Sequence, residues 1–286
     1  MSKFSKVLLI TLLCLSVTVL TKPTIRTTVE NLQTTNISSK VASICNGART
    51  IYISDGSEDG SVIVGECVKK DTPNDRQVFF YSQSSGVKNI GSMGKQSVEH
   101  LHVSADGSVI VGYFHNSHTN NPMLYHAFRY SQILGFEDLS DMSTESTFAR
   151  GVSADGSWLV GSTDIGSNSK SSLQWISTHA FQYSRTDGMK DLGIMGDAAF
   201  ATRISNDGSV IVGSGTIYHT ILFIAEISHE NFVFVYTDKG GMEKLKGIGG
   251  EQVGVTKISA DGTRLVGSYR DKNRESYIYT ANLVFR

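Results

Sequence analysis

The chain contains the stretch Leu101-His102-Val103-Ser104-Ala105-Asp106-Gly107-Ser108-Val109-Ile110-Val111-Gly112, in which two runs rich in β-branched residues flank a short polar segment. Gly107 can take the positive φ that a tight hairpin turn requires, and Ser104 and Asp106 can bond to backbone amides within the turn. The stretch therefore predicts a β-hairpin with a Ser-Ala-Asp-Gly turn.

The Ser-x-Asp-Gly pattern of this hairpin occurs five times, each time followed by an apolar run and a glycine. The aspartates lie at positions 59, 106, 155, 207 and 261, so successive copies are 47, 49, 52 and 54 residues apart. A period of about 50 residues indicates a repeat protein. We predict a structural role for the turn residues Asp59, Gly60, Asp106, Gly107, Asp155, Gly156, Asp207, Gly208, Asp261 and Gly262.

A second motif, an aromatic residue followed by one variable residue and another aromatic residue, occurs once after each Ser-x-Asp-Gly segment. Its five copies begin at Phe79, Phe128, Phe181, Phe234 and Tyr277. Residues two apart face the same side of a β-strand, so this strand presents two rings to one neighbouring layer. A turn and a short apolar stretch follow the first four copies, and Ala281 to Phe285 take that place after the fifth. Each repeat is thus expected to contain four short strands.

Four strands and about 50 residues per repeat are typical of one propeller blade. Stacking five blades around an axis would bury both faces of each sheet and cover most strand edges. No helical periodicity is long enough for the crossover helices of a βαβ fold. The sequence therefore predicts an all-β fold, a β-propeller of about five four-stranded blades over residues 49–286. An open β-solenoid is the alternative, although solenoid coils usually repeat over shorter lengths.

The first residues have the layout of an export signal. Lys3 and Lys6 precede an uncharged run of 15 residues from Val7 to Thr21, and a Lys-Pro pair follows. A membrane-spanning helix needs about 20 apolar residues, so we predict a cleaved signal peptide over residues 1–21 and no stable membrane span. Residues 22–48 are predicted to form an N-terminal segment that closes the last blade.

Charge and cysteine content narrow the class of protein further. Without residues 1–21 the chain keeps 24 basic and 27 acidic residues, a formal charge of −3, which gives no electrostatic basis for binding nucleic acid. Cys45 and Cys67 remain, and export favours a disulfide between them. The loop that they would close, about 23 residues long, would contribute about 3 kcal/mol. Two buried free thiols are the alternative.

Two of the aromatic strands share a longer pattern, His126-Ala127-Phe128-Arg129-Tyr130 and His179-Ala180-Phe181-Gln182-Tyr183. Alternating with Val-Ser-Ala-Asp-Gly-Ser and Val-Gly, these segments resemble the bacterial extracellular HAF repeat family. The resemblance covers about residues 49–279 and implies export, a bacterial source and a propeller-like β fold. It implies little about activity, because the family is defined by its repeats. Gln77 and Phe232 replace the motif histidine in the first and fourth copies, so a blade does not require it.

Some proteins of this kind precede an outer-membrane translocating barrel. No such barrel could follow Arg286 in this sequence, so that interpretation requires a truncated or separately encoded autotransporter passenger.

Metal and catalytic motifs are weak. His100 and His102 would point to one face of a strand, but zinc needs three or four convergent ligands and no second cluster has the required spacing. Each repeat turn offers one carboxylate, fewer oxygens than calcium needs. His126 and His179 occupy equivalent places, which predicts packing or hydrogen bonding for both. No Gly-x-Ser-x-Gly elbow, Walker loop or His-Glu-x-x-His segment occurs, so we expect no catalytic residue, no metal and no cofactor.

The repeats differ most between the glycine that ends the hairpin and the aromatic strand, where the spans are 14, 16, 20, 21 and 10 residues. Insertions at one place in a repeat map to one face of the molecule, which is often the binding face. These spans carry aromatic and histidine side chains among small polar residues, and we predict ligand binding by Tyr113, His118, Trp175 and Tyr218. The alternative is that the rings only anchor long loops to the body.

These features together predict a binding module without catalysis, secreted, periplasmic or on the surface of a bacterium, whose partner is a protein or a glycan. The alternative is a propeller enzyme with an axial site, such as a glycan hydrolase or a lactonase. Acids or histidines converging on one mouth of the axial channel would favour that alternative.

Overall fold

A computed structural model describes residues 40–41, 43, 50–68, 76–91, 98–115, 124–140, 145–166, 177–220 and 227–285, all within one compact unit, Ile37–Arg286. The regular elements of these ranges are 19 β-strands, which confirms the all-β prediction. The predicted signal peptide and most of residues 22–48 lie outside the described ranges. Within them, no helix is long and apolar enough to cross a membrane.

The strands form consecutive antiparallel meanders, which we call blades 1 to 5 in chain order. A single parallel pairing, Thr178 with Ala198, joins blades 3 and 4 into one eight-stranded sheet. Blade 1 contains β1 (Thr50–Gly56), β2 (Val62–Val68), β3 (Arg76–Ser82) and β4 (Gly86–Gly91), and blade 2 contains β5 (Val98–Val103), β6 (Val109–His115), β7 (Tyr125–Ser131) and β8 (Gly135–Asp138). Blade 3 contains β9 (Thr147–Val152), β10 (Trp158–Ile165), β11 (Ser177–Ser184) and β12 (Gly188–Gly193). Blade 4 contains β13 (Ala198–Ile204), β14 (Val210–Thr220), β15 (Ile227–Thr237) and β16 (Gly241–Gly250), and blade 5 contains β17 (Gln252–Ile258), β18 (Arg264–Arg270) and β19 (Ser276–Asn282).

The first strand of each blade contacts the first strand of the next blade, β1 with β5, β5 with β9, β9 with β13 and β13 with β17. We call these five strands the inner strands. The Ser-x-Asp-Gly turns connect each inner strand to the second strand, at an end of the sheets that we call the turn end. The connections from second to third strands, where the repeats differ in length, lie at the opposite end, which we call the loop end.

The third strand of each blade packs a ring across a glycine of the second strand. The pairs are Phe79 with Gly65, Phe128 with Gly112, Phe181 with Gly161 and Phe234 with Gly213, and all four phenylalanines are fully buried. A side chain in place of any of these glycines would press into the ring. The glycine that ends each hairpin motif is thus required by the aromatic residue that starts the next motif.

Blade 5 departs from the predicted pattern in two ways. Gly267 lies opposite Tyr279, so the prediction that Tyr277 starts the fifth aromatic motif was wrong by two residues. Both residues are tyrosine, and only the strand register distinguishes them. Ala281 still belongs to β19, and no strand follows it in the described ranges, so blade 5 has three strands there and not four.

The outer face of blade 5 is also more open than the faces of the other blades. Val266 is 40% exposed, whereas the equivalent residues Val64, Val111, Val160 and Val212 are fully buried. In those four blades the next blade covers the valine. In the described ranges no further blade covers blade 5.

Candidate functional site

The five Ser-x-Asp-Gly turns share one geometry. In blade 2, the Ser104 hydroxyl donates to Asp106 Oδ1 at 2.5 Å, and the N–H of Ser108 donates to the same oxygen at 2.9 Å. The N–H of Val109 donates to Ser104 Oγ at 3.0 Å. The same three bonds recur in the other four turns. Gly107 has φ of 72°, and the other four turn glycines lie between 69° and 76°.

The hydrogen bonds of these turns favour the ionised aspartate. With the N–H of Ser61 as the largest cause, they lower the pKa of Asp59 to about 2. With the Ser259 hydroxyl as the largest cause, they lower the pKa of Asp261 to about 2. The carboxylates are therefore occupied within their own turns. No group of three or more His, Cys, Asp or Glu side chains that could hold a metal occurs in the part of the chain described.

Backbone hydrogen bonds link the turns of neighbouring blades. The N–H groups of Glu58, Asp106 and Asn206 donate to the carbonyls of Ala105, Ala154 and Ala260 over 3.2, 3.0 and 3.0 Å. Between blades 3 and 4, the N–H of Ala154 donates to the Asn206 side-chain oxygen at 3.2 Å. Turn residues of blades 1 to 4 line an open depression of about 480 Å³. The turn end is therefore a hydrogen-bonded row that runs from blade 1 to blade 5.

Four of the turn glycines also pack against the preceding blade. A Cβ on Gly107, Gly156, Gly208 or Gly262 would overlap, respectively, Val62, Val109, Trp158 or Val210, each of them the first residue of a second strand. Gly60 belongs to blade 1 and has no neighbour within 4 Å of such a Cβ. These glycines therefore serve two purposes, since they permit positive φ and leave room for the adjacent blade.

Each inner strand carries a β-bulge shortly before its turn. A bulge leaves an extra residue unpaired and changes the direction of nearby side chains. The residues two positions before the turn serine are Asp55, His102, Gly151, Arg203 and Lys257. Unlike the turns, these positions share no residue type. The inner strands are therefore where one blade differs chemically from the next.

Arg203 connects three inner strands. Its Nε donates to the carbonyl of Thr256 at 2.7 Å, and Nη1 donates to the carbonyls of Thr202 at 2.7 Å and Arg150 at 3.4 Å. Burial lowers the pKa of Arg203, and the carboxylate of Asp55 opposes that shift. Arg203 belongs to blade 4 and Asp55 to blade 1. The two blades are therefore close enough for their charges to interact.

Asp55 also joins blade 1 to blade 2. Its Oδ2 lies 3.4 Å from His102 Nδ1 and accepts the N–H of Val103 at 3.1 Å, while Oδ1 accepts the N–H of Gly56 at 2.9 Å. Burial raises the pKa of Asp55, but these donors outweigh it, so the pKa lies below its usual value. Asp55 is therefore ionised at neutral pH.

Arg150 lies among aromatic rings from three blades. Its guanidinium carbon is 5.2 Å from the ring centroid of Phe148, 5.4 Å from that of Phe200 and 5.8 Å from that of Tyr113. A cation within about 6 Å of a ring face is attracted to it. Phe148 and Phe200 both lie five residues before a turn serine and remain partly exposed. The guanidinium of Arg150 thus lies beside rings from the half of the inner strands nearer the loop end.

Further rings extend this cluster. His100 stacks on Tyr113 at 5.3 Å between centroids, and Tyr125 lies 5.7 Å from Tyr113 and 5.4 Å from Phe148. Burial, followed by the charge of Arg150, lowers the pKa of His100. We call the six residues His100, Tyr113, Tyr125, Phe148, Arg150 and Phe200 the Arg150 cluster. It combines one cation with five ring-bearing side chains.

Of the predicted ligand-binding residues, Tyr113 belongs to this cluster but not to a loop. Strand β6 continues to His115, and Tyr113 is only 5% exposed, so the prediction that it lies on an exposed loop was wrong. Tyr218 is 50% exposed and lies in β14, because β14 and β15 extend through much of the blade 4 insertion. His118 and Trp175 lie outside the described residues.

The remaining predicted positions have structural partners. His126 Nδ1 lies 2.9 Å from Asp138 Oδ2, and His179 Nδ1 lies 3.0 Å from Asp191 Oδ2, in each case between the third and fourth strands of a blade. Hydrogen bonding thus accounts for both histidines. A bulge separates His100 from His102, which have different partners, Tyr113 and Asp55. Cys67 is disulfide-bonded, and Cys45, its predicted partner, lies outside the described residues.

Sequence reasoning missed Arg150, Arg203 and Asp55. One signal was available: in the inner strands, positions two and three before the turn serine carry a charged residue in some copies and a small or apolar one in others. Such variation at a fixed place of a repeat marks positions whose role differs from blade to blade.

No protein-family model and no curated protein sequence matches the chain. Several solved structures do. TolB from Acinetobacter baumannii aligns with a TM-score of 0.51 and 17% identity, over 82% of this chain and 52% of TolB. Acylaminoacyl peptidase from Pyrococcus horikoshii aligns with a TM-score of 0.53 and 14% identity, over 82% of this chain and 39% of the peptidase. The tricorn protease aligns with a TM-score of 0.52 and 10% identity, over 81% of this chain and 25% of the protease.

TolB and these peptidases contain β-propellers. The fold of this chain is β-propeller-like. At these identities the likeness concerns the fold alone. The chain spans only about half, or less, of the length of these three structures.

Proposed function

We propose that the chain is an exported binding module that takes a protein or glycan ligand at the loop end of its inner strands. The Arg150 cluster carries this proposal. It gathers one cation and several partly exposed rings from three blades at the end where the connections differ most in length. Aromatic and arginine side chains are the residue types that contribute most to binding energy at interfaces.

The proposal includes a curved arrangement of the five blades about one axis, which is open between blades 5 and 1 in the described ranges. The inner strands contact one another in sequence from β1 to β17, and the charges of Arg203 and Asp55 interact between blades 4 and 1. A curved row of blades accounts for both observations, since the inner strands then face a common space. The loop end of that space is the entrance that leads to the Arg150 cluster.

We propose that the chain is exported to the bacterial periplasm, the cell surface or the medium. The run over residues 1–21 supports it, and so does the disulfide-bonded state of Cys67, because disulfides persist in oxidising compartments. The resemblance to HAF repeats is consistent with the same compartment and stays a prediction.

The binding function is tested with immobilised peptide and glycan libraries and two matched variants. Tyr125→Ala removes a partly exposed ring of the cluster, and Ile133→Ala removes a 93% exposed apolar side chain at the turn end. We expect Tyr125→Ala to weaken binding about 10-fold or more, as loss of an interface anchor does, and Ile133→Ala to leave it unchanged. Trp175→Ala, in the predicted loop face, is expected to act like Tyr125→Ala.

A variant series in which Ile133→Ala lowers affinity as much as Tyr125→Ala would place the binding surface elsewhere. Melting temperatures of all three variants separate loss of binding from loss of folding. If Trp175→Ala reduces stability and leaves binding intact, its ring anchors a loop to the body.

An enzyme is the second candidate function. One observation favours it, the contact of 3.4 Å between Asp55 Oδ2 and His102 Nδ1, because a carboxylate that orients a histidine is part of many hydrolase sites. In the described ranges no serine, threonine or cysteine is hydrogen-bonded to His102. Hydrolysis of a glycoside, lactone or peptide probe by the wild type and its loss in His102→Ala would establish this candidate.

A further inference from the structure

The guanidinium of Arg150 has few polar partners. An arginine side chain offers five N–H donors, and in the described part of the chain only Nε of Arg150 has an acceptor, Ser162 Oγ at 3.2 Å. The five ion pairs of arginine and lysine there all involve other residues. Among the described residues, the donors at the end of the Arg150 side chain therefore have no acceptor.

The surroundings of Arg150 favour an anionic ligand. Burial lowers the pKa of Arg150, and the charge of Asp164 and the Tyr113 side chain only partly offset that effect. The burial of Asp164 raises its own pKa, so it compensates the cation weakly. A planar anion that accepts hydrogen bonds from two N–H groups of the guanidinium would balance the positive charge of Arg150. A carboxylate has that geometry.

Backbone edges near the cluster favour a peptide over a sugar as the source of this carboxylate. Inner strands β5 and β9 each pair with the second strand of their own blade and have no strand on the other edge, where side chains bond only to the N–H of Val103 and the carbonyl of Arg150 in the described ranges. An extended peptide can hydrogen-bond to such an edge. The rings of Tyr113 and Phe148 meet at 85°, edge to face, so this pair does not form the flat stacked surface that a sugar ring would lie on.

We propose that Arg150 binds the C-terminal carboxylate of a peptide segment that enters the loop end along the inner strands. This inference rests on the proposed binding function and names the ligand chemistry of the same site. The rings of Phe148, Phe200 and Tyr113 hold the guanidinium in place, while its terminal N–H groups receive the carboxylate.

The test uses the full chain with ¹⁵N-labelled arginine and three small probes. N-acetyl-triglycine with a free carboxylate, the same peptide as its C-terminal amide, and galacturonic acid are titrated while the arginine Nε–H signals are followed by NMR. We expect the peptide acid to shift the Arg150 signal and to bind at least 10-fold more tightly than the amide, because hydrogen bonds to charged groups contribute about 1.5–3 kcal/mol.

Variants of two arginines complete the test. Arg150→Gln should lower affinity for the peptide acid to that for the amide, and Arg150→Lys should retain part of the difference, since it keeps the charge and loses the planar fork. Arg185→Gln, on a surface arginine that pairs with Glu137, should bind like the wild type.

Three outcomes would overturn the inference. Equal affinity for acid and amide in the wild type removes the role of the carboxylate, whatever the variants do. Binding of galacturonic acid without binding of the peptide acid replaces the peptide with a sugar. Loss of binding in Tyr125→Ala with none in Arg150→Gln keeps the loop-end site and rejects Arg150 as its anion receptor, which distinguishes failure of this inference from failure of the proposed function.

Discussion

At the turn end, all five blades carry the same serine, aspartate and glycine with the same three hydrogen bonds. Towards the loop end, the equivalent inner-strand positions hold four residue types, in Tyr52, Glu99, Phe148, Phe200 and Gly254. The same strands therefore connect a uniform end to a varied end. Uniform residues satisfy a requirement that every blade has in common, whereas varied residues are free to differ because no shared requirement fixes them.

This contrast predicts whether replacing a residue affects stability or binding. Replacing a uniform residue should alter stability in a way that depends on its neighbouring blade. Replacing a varied residue of the Arg150 cluster should alter binding more than stability. The first two predictions below compare residues of matched type so that the two effects can be distinguished.

The largest expected effect concerns the turn glycines. Gly107→Ala combines positive-φ strain, about 1–2 kcal/mol, with overlap against Val62, about 1–3 kcal/mol, so we expect a loss of about 2–5 kcal/mol in unfolding free energy. Gly60→Ala carries the same strain without the overlap and should lose about 1–2 kcal/mol. Equal losses in denaturant unfolding of the two variants would show that blade packing at the turn glycine contributes nothing.

The second prediction compares two arginines of the inner strands. Arg203→Met leaves the carbonyls of Thr256 and Arg150 without their donor and should lower stability by about 1.5–3 kcal/mol. Arg150→Gln should lower it by about 1 kcal/mol or less, because the desolvation of its charge offsets the attraction of the rings. Thermal and denaturant unfolding measure both. A larger loss for Arg150→Gln than for Arg203→Met would assign Arg150 to the scaffold.

The smallest expected effect is the acid response of the turns. The pKa of Asp59 and of Asp261 is about 2, below the ordinary value of 3.8, so each carboxylate stabilises the fold above about pH 4 and loses that contribution as the pH falls towards 2. The difference in melting temperature between the wild type and Asp59→Asn should therefore shrink between pH 4 and pH 2. Exposure keeps the effect small, and parallel melting curves across that range would contradict it.

The repeat and its turns could be predicted from the sequence because their chemistry is local. Ser104, Asp106, Gly107 and Val109 lie within six residues, and every bond that defines the turn forms among them and Ser108. The Phe and Gly motifs were likewise recognisable, since strand pairing places them opposite each other. Tyr277 and Tyr279 show the limit, because two identical residues in alternate positions fit the same pattern in either register.

The Arg150 cluster could not be predicted in this way. Tyr113 and Arg150 lie in different blades, and only the packing of one sheet on the next brings them together. The bulges of the inner strands also interrupt the alternation of faces that pattern reading assumes, as His100 and His102 show. Sequence position alone placed Tyr113 in a loop, whereas its neighbours in space bury it.

The fit of each turn glycine against the preceding blade also bears on how such a chain can lengthen by gene duplication. The turn glycine of an internal blade packs against the preceding blade. The first residue of its second strand, such as Val109 or Trp158, packs against the turn glycine of the following blade. A duplicated internal blade therefore meets suitable neighbours on both sides without compensating substitutions. Blade 5 differs, because Arg264 stands where the other blades have valine or tryptophan. A copy of that terminal blade would put a charged side chain against the next glycine, so growth from the interior is favoured over growth from that end.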